Sequence, residues 1–310
     1  MDSPLTRHTV RFCSRADPPG PLALTRPLAS WRGDFPQCRA LSATLLLPHA
    51  ADHPNGNQTF GQCQEPEKLF NSSPCRKHMD TEERKRLAGI EACKWVRDGM
   101  SLGLGTGSTV SHTVIQIGRM ISEGSISVVG VPTSLATREL AMSVGIPMAT
   151  LSEVGELDLV IDGTDEFDPE FSLIKGGGGA LTREKIVAQS SNAMIVVADE
   201  RKRVNVLGKF HLPVEVLQFE WEATRGLLSA LCPGDVSIRG GKRPFVTDNG
   251  GFILDCNFGE SITDPRSLES EILSIAGVVE VGLFCDMCDV VILAGEGEVD
   301  TIIKDGGRLD

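Results

Sequence analysis

The chain has 310 residues, 41% of them hydrophobic and 23% charged, with a mean hydropathy of −0.03; this excludes wholesale disorder, a collagen-like chain and a membrane bundle. No run approaches the ~18 apolar residues a membrane helix needs. A formal net charge of −12 argues against a protein that grips a nucleic-acid backbone with a basic face.

The average conceals a break near residue 79. Residues 1–78 hold 10 of the 17 prolines and 4 of the 33 glycines. They also hold 9 Lys or Arg and 6 Asp or Glu, which leaves 21 against 36, a charge of −15, for the remaining 232. Prolines at this density remove backbone donors and interrupt helices, and stretches such as ADPPGPLALTRPLAS and HPNGNQTF are turn-rich. The segment is therefore expected to be a disordered extension. Its first part is Arg-rich and acid-poor like an organelle transit peptide; the other reading is translation beginning at Met79, because MDTEERKRLAGIEACKWV opens directly into an amphipathic helix. Asn71-Ser72-Ser73 is a formal glycosylation acceptor, which carries no weight without a secretory signal.

From Met79 onward, short β-branched runs alternate with helical stretches. Thr81–Arg97 reads as a helix with Leu87, Ile90, Cys93 and Val96 on one face, and Ser101–Leu104 as a strand. A second helix carries Val110, Val114, Ile117 and Ile121 on one stripe. Strand Ser127–Val131, helix Ser134–Val144, strand Leu157–Ile161, helix Thr182–Gln189 and strand Met194–Ala198 follow. Such alternation predicts parallel βαβ units in a doubly wound α/β sheet.

The pattern changes after about residue 210. Val214–Phe219 reads as a strand, Ala223–Leu231 as a helix, and Pro244–Thr247 as a strand joined by the turn Asp248-Asn249-Gly250 to Phe252–Phe258. A helix at Ser267–Ile275 and a strand at Val278–Phe284 complete a β-α-β-β-α-β order, the ferredoxin-like signature. Val290–Leu293 reads as a last strand rejoining the first sheet. The expected layout is thus an α/β domain of residues 79–210 plus 285–310, interrupted by a ferredoxin-like α+β domain at 211–284.

Three constellations carry chemistry. Gly103-Leu-Gly-Thr-Gly-Ser-Thr109 lies between a strand and a helix, where free N–H groups and the positive helix end suit an anion. It fits neither Walker A nor GxGxxG, and a tight βα turn is the plain alternative. Asp162-Gly163-Thr164-Asp165-Glu166 follows an apolar strand, at the sheet end where open α/β folds bind ligands; a Mg²⁺ site and exposed loop acids compete with that reading. Lys175 precedes four consecutive glycines, Gly176 to Gly179, costly to order unless a ligand must touch the backbone. Thr182 is the expected N-cap of the next helix. Glu184 then falls in its first turn, where the helix dipole favours the ionised form and so a base; a surface Glu that merely complements the dipole is the alternative.

Nine cysteines without a signal peptide point to free thiols in a reducing compartment. Cys285 and Cys288 have redox spacing, but a strand-like run follows at once, so they read as two core thiols. His112 and His211 fall outside the three constellations and read as structural.

The segments GTGSTV, DGTDEFDPEFSLIKGGGGALTREKIVA, LGKFHLPVEV, VTDNGGFILD and GVVEVGLF together resemble ribose-5-phosphate isomerase of type A, from about Thr81 to the last strand. The resemblance implies a Rossmann-like domain with an inserted ferredoxin-like domain, a homodimer and a cytoplasmic enzyme of the non-oxidative pentose phosphate pathway. The implied reaction interconverts D-ribose 5-phosphate and D-ribulose 5-phosphate through a cis-enediol, with no cofactor, metal, nucleic acid or membrane. Carried over residue by residue, Thr106, Gly107, Ser108 and Thr109 bind the phosphate or adjacent oxygens. Asp162 and Asp165, with Gly163 and Thr164 beside them, hold the sugar hydroxyls and act catalytically by assisting ring opening and proton shuttling. Lys175 with Gly176, Gly177 and Gly178 lines the reacting end, its ammonium stabilising the enediolate oxygen; Glu184 is the proton acceptor, Lys202 binds substrate and Lys85 reaches the phosphate. Thr164 stands where the family often has Ala. Two other readings share the fold: a sugar-phosphate effector domain of a transcription regulator, which needs a helix-turn-helix that residues 1–78 do not supply, and an amino-sugar phosphate deaminase, against which the intact Lys175 to Glu184 segment speaks.

Overall fold

The computed structural model describes residues 80–295 and 298–309; the expectations for residues 1–78 lie outside the described residues. Helix α1 (Thr81–Ala92) ends in a single 3-10 turn, and β1 (Ser101–Leu104), α2 (Val110–Ser122), β2 (Val129–Pro132), α3 (Leu135–Ser143), the one-turn α4 (Leu151–Val154) and β3 (Leu159–Gly163) follow. Two short strands, β4 (Glu166–Phe167) and β5 (Leu173–Ile174), precede α5 (Leu181–Gln189) and β6 (Met194–Asp199). The chain continues through β7 (Leu212–Val216), α6 (Trp221–Leu231), β8 (Val236–Ile238), β9 (Phe252–Cys256), α7 (Pro265–Leu273), β10 (Val278–Val281), β11 (Leu283–Phe284), β12 (Val290–Ala294) and β13 (Val299–Ile303).

The main sheet has the order β13-β12-β6-β3-β1-β2, parallel except for the antiparallel edge strand β13. Its strands read as continuous apolar runs because both faces are covered. Leu102, Leu104, Ile161, Ile195 and Ile292 pack with α1 and α2, while Val160, Val196, Val291 and Leu293 pack with Val187 and Ala188 of α5 on the other face. That alternation is the period of a strand. The chain leaves β1 for β2 on one side and later returns to β3 on the other, so the C-terminal ends of β1 and β3 flank the crevice where such sheets bind ligands.

A second, antiparallel sheet has the order β10-β7-β9-β8. It buries Val214, Val216, Leu254 and Cys256 with Leu228 of α6 and Ile272 of α7. Three short strands in the order β11-β5-β4 form a third sheet, and all belong to one compact unit.

Several expected boundaries move. The helix expected over Thr81–Arg97 stops at Ala92. Pro244–Thr247 is not a strand: Val246 makes only an isolated bridge to Phe252, and the partner of β9 is β8, three residues that alternation cannot reveal. The strand expected over Val278–Phe284 breaks at Gly282. There the N–H donates to the Pro213 carbonyl and the carbonyl accepts from the Lys175 N–H, both at 2.8 Å. A Cβ at this position would stand 2.3 Å from the Lys175 carbonyl oxygen, so glycine lets the chain cross from the second sheet to β5. Cys285 and Cys288 are free and buried in two different core clusters, and burial pushes the Cys285 thiol up to about 12, as two core thiols should behave.

Candidate active site

Asp162, the fourth residue of β3, is wholly buried. Its Oδ1 accepts hydrogen bonds from the N–H of Thr106 at 3.0 Å and of Gly163 at 2.7 Å. The loop after β1 lies against this carboxylate because residue 105 is glycine: a Cβ there would stand 2.2 Å from Oδ1. The Thr106 hydroxyl is taken up by Thr133, Ser134 and Thr137 at 2.7, 2.8 and 3.2 Å. Gly107 and Ser108 are exposed and Thr109 half-buried, at the N-terminus of α2, where backbone donors and the helix dipole favour an anion.

These residues open onto a cavity of about 200 Å³. Gly163, Thr164 and Asp165 line it from one side and Gly176 to Gly178 from another, with Lys175 and Glu184 among the buried walls and Lys85 and Lys202 around it. Every site residue expected from the sequence therefore gathers here except Asp162, which is sealed beneath the cavity and does not line it. Its second oxygen faces the Lys175 ammonium at 3.1 Å. The Thr164 hydroxyl is also occupied, donating to the carbonyls of Glu166 and Ile174 at 2.6 and 2.9 Å.

Lys175 follows β5 and is 2% exposed. Its Nζ donates to the Gly163 carbonyl at 2.5 Å and stands 3.1 Å from Asp162 Oδ2 and 3.4 Å from Glu184 Oε1. Burial would lower its pKa, but the Asp162 and Glu184 carboxylates outweigh it and hold the ammonium above the ordinary lysine range. Two buried carboxylates share this one cation, and burial raises the pKa of both. That of Glu184 is driven up to about 8, opposed by Lys175 and reinforced by Asp162 and Asp165. The helix dipole was expected to keep this group ionised. A dipole contributes ~0.3–1 kcal/mol, whereas a rise from 4.5 to about 8 corresponds to ~5 kcal/mol against ionisation, so desolvation wins.

Thr182 is not the N-cap. That position falls to Ala180, without a side-chain bond, and the Thr182 hydroxyl instead donates to Glu215. The acids of residues 162–166 also diverge. Asp165 accepts from the Gly177 N–H at 2.6 Å and lies 3.7 Å from Lys202 Nζ. Glu166 turns away to accept from the Gly208 and Phe210 N–H groups at 2.8 and 2.5 Å. Among the described residues no cluster of three His, Cys, Asp or Glu side chains could hold a metal ion.

Two cavity residues escaped the sequence reading. Asp199 ends β6, and Arg201 in the following turn donates to it through Nε and Nη2 at 2.8 and 2.9 Å. The strand-end rule that singled out Asp162 applies equally to Asp199. Neither histidine lines the cavity: His112 stands 3.8 Å from Glu82, and His211 is exposed at the start of β7.

Residues 129–298 match the family ribose 5-phosphate isomerase A (phosphoriboisomerase A). The chain is 49% identical over 237 residues to ribose-5-phosphate isomerase A of Bradyrhizobium diazoefficiens, covering 73% of this chain and 97% of that one. Against its namesake in Bacillus mycoides it is 48% identical over 204 residues, 66% and 91% of the two chains. A solved D-ribose-5-phosphate isomerase in complex with phospho-erythronic acid superposes with a TM-score of 0.70 at 41% identity, over 73% of this chain and all of that one. The ribose 5-phosphate isomerase A of Methanocaldococcus jannaschii does so with a TM-score of 0.68 at 41% identity and the same coverage. Among the described residues no helix is long and apolar enough to cross a membrane. With the crevice, the lysine and the carboxylates in place, the chain belongs to the ribose 5-phosphate isomerase A family and is an isomerase.

Proposed function

We propose that the chain interconverts D-ribose 5-phosphate and D-ribulose 5-phosphate through a cis-enediol, with Glu184 as the proton carrier. The observation that carries this reading is the Glu184 carboxylate 3.4 Å from the Lys175 ammonium, both buried against one cavity. Ionised Glu184 takes the proton from C2 of the open-chain aldose, and the C–H electrons form the C1–C2 double bond. The C1 carbonyl oxygen becomes an oxyanion, which Lys175 stabilises; the C2 hydroxyl proton passes to that oxygen, and as the C2 oxygen forms the new carbonyl its electrons shift the double bond so that C1 takes the proton back from Glu184. Asp162 holds Lys175 in place from below. Asp165 and Lys202 face the sugar, and the 107–109 amides with Lys85 take the phosphate. Phospho-erythronic acid, bound by a solved relative, carries a carboxylate and a phosphate that suit the two ends of such a cavity. The decisive assay follows ribulose 5-phosphate formed from ribose 5-phosphate by the purified protein; no conversion overturns the proposal.

The same reading treats residues 211–284 as a ferredoxin-like unit inserted into a Rossmann-like domain of 79–210 plus 285–310, supported by the strand order β10-β7-β9-β8 with helices α6 and α7 between. It also takes the protein as a cytoplasmic homodimer. The five described cysteines, all free, support a reducing compartment.

Two expected results follow from the charges. Because Glu184 must be ionised to act, kcat/KM rises with pH as this group deprotonates, with an apparent pKa of about 8. Lys175, held above the ordinary range, stays cationic through that interval. Initial rates between about pH 6.5 and 9 test this, and a flat profile contradicts it. Prolonged EDTA treatment leaves the rate unchanged, and added Mg²⁺ or Zn²⁺ does not raise it, because Lys175 Nζ already stands between the carboxylates a cation would need. Activity lost to chelation and restored by one metal would contradict the electrophile role of Lys175.

A further inference from the structure

Little near Glu184 fixes its carboxylate. Oε1 has Lys175 at 3.4 Å, and Oε2 accepts no hydrogen bond. Where the carboxylate stands is therefore set by where the first turn of α5 stands. That turn has no side-chain cap, and the four residues before Ala180 are glycines, which bring no side chains to anchor it. The restraint comes from the second sheet. Thr182 donates its hydroxyl to Oε2 of Glu215, which lies in β7 and is 1% exposed. Glu215 Oε1 accepts from the Thr247 hydroxyl at 2.5 Å, and Asn249 Nδ2 lies 3.3 Å from both oxygens. The neighbours of Glu184 are tied to the same unit. Arg183 donates to Asn249 Oδ1 and the Asp248 carbonyl, both at 2.7 Å, and Lys185 pairs with Glu269 and Glu280 at 2.6 and 2.7 Å.

We infer that Glu215 is a positioning residue for the proton transfer: through the Thr182 hydroxyl it fixes the first turn of α5 and with it the place of the Glu184 carboxylate. The inference rests on the role given to Glu184 above. Glu215 suits the task because its one pair of carboxyl oxygens gathers Thr182 and the 247–249 turn in one place. It lies two residues from no other group assigned to the chemistry, and it does not line the cavity.

The test measures kcat and KM for ribose 5-phosphate, and the affinity for phospho-erythronic acid, on the full chain. Thr182→Val keeps the volume and removes the donor; kcat is expected to fall about tenfold or more, since small misplacements of a reacting group carry losses up to ~10²-fold. KM and the affinity for phospho-erythronic acid should stay within about threefold. Thr182→Ser, which keeps the hydroxyl, should restore kcat. Glu215→Gln carries the same expectation if Thr182→Val does not fold, and the double variant should lose no more than the worse single one. A Thr182→Val kcat within twofold of wild type overturns the inference, as does a loss matched by an equal loss of phospho-erythronic acid binding or not rescued by Ser. An inactive wild type removes the role of Glu184 and this inference together; an active wild type with an unimpaired variant removes this inference alone.

Discussion

Glu184→Gln is expected to lower kcat for ribose 5-phosphate by ~10²–10⁴-fold while phospho-erythronic acid still binds. The amide keeps the shape, and its carbonyl oxygen can still face Lys175, but it cannot accept the C2 proton. The 107–109 loop and Lys202 are untouched, so the anion-binding end of the cavity stays as it was. Stability should move the other way. The folded-state pKa of Glu184 lies at about 8, above the 4.5 of an ordinary glutamate, so between those values the native state holds a proton that the unfolded chain has released. Stability in wild type is therefore lost as pH rises from the unfolded to the folded value. The Gln variant lacks that slope, and its melting temperature should gain on wild type progressively up to about pH 8. Thermal melts at pH 5 and pH 8 read this directly. An active variant, or a gap between the two proteins that does not change with pH, would count against Glu184 as the buried base.

Much of this arrangement was legible in the residues, and what was not has identifiable causes. The runs that became β1, β3 and β6 are buried on both faces and carry their signal locally. The three polar constellations fall at their ends or beside them, which is why the crevice could be placed from the sequence. Strands β4 and β5 have two residues each and β8 three, too few for a period of two to show. They form because backbone partners far along the chain supply the other half of each ladder. The hairpin turn at residues 248–250 misled in the same way. Its upstream arm is held by Thr247, whose hydroxyl accepts from Asn249 and Gly251 and donates to Glu215, rather than by strand pairing. Thr182 looked like a cap because local spacing allowed it; Glu215, 33 residues away, claims the hydroxyl instead. Asp162 shows the limit most clearly. Its position at a strand end was correct, but strand alternation cannot say that Gly105 lets a loop close over it. The resemblance implies a place beside the substrate for it, and in the structure its free oxygen stands 3.1 Å from Lys175.

That pairing makes Lys175→Met the second large effect. The side chain is 2% exposed and stands between Asp162, 0% exposed, and Glu184, 4% exposed. Met keeps the length and apolar stem of lysine and removes the charge, which leaves two buried carboxyl groups facing each other without a cation. Removing one partner of a buried pair costs about 3–5 kcal/mol, and for a domain of this size that corresponds to a drop in melting temperature of roughly 10 °C or more. The sign of its pH dependence follows from linkage. Burial already holds both carboxyls above their ordinary range, with Lys175 pulling them down; without the ammonium their folded-state values rise further. A carboxyl whose folded pKa exceeds its unfolded value withdraws stability as pH climbs from the unfolded value, near 4, towards the folded one. The deficit of Lys175→Met should therefore be small at about pH 4.5, where both groups can carry protons, and largest at about pH 8. Isomerase activity should be lost at every pH, because the oxyanion at C1 no longer meets a positive charge. Melting curves across that range decide the matter: a deficit under about 2 °C at pH 8, or one that is the same at both ends, would show that Lys175 does not neutralise these two carboxylates.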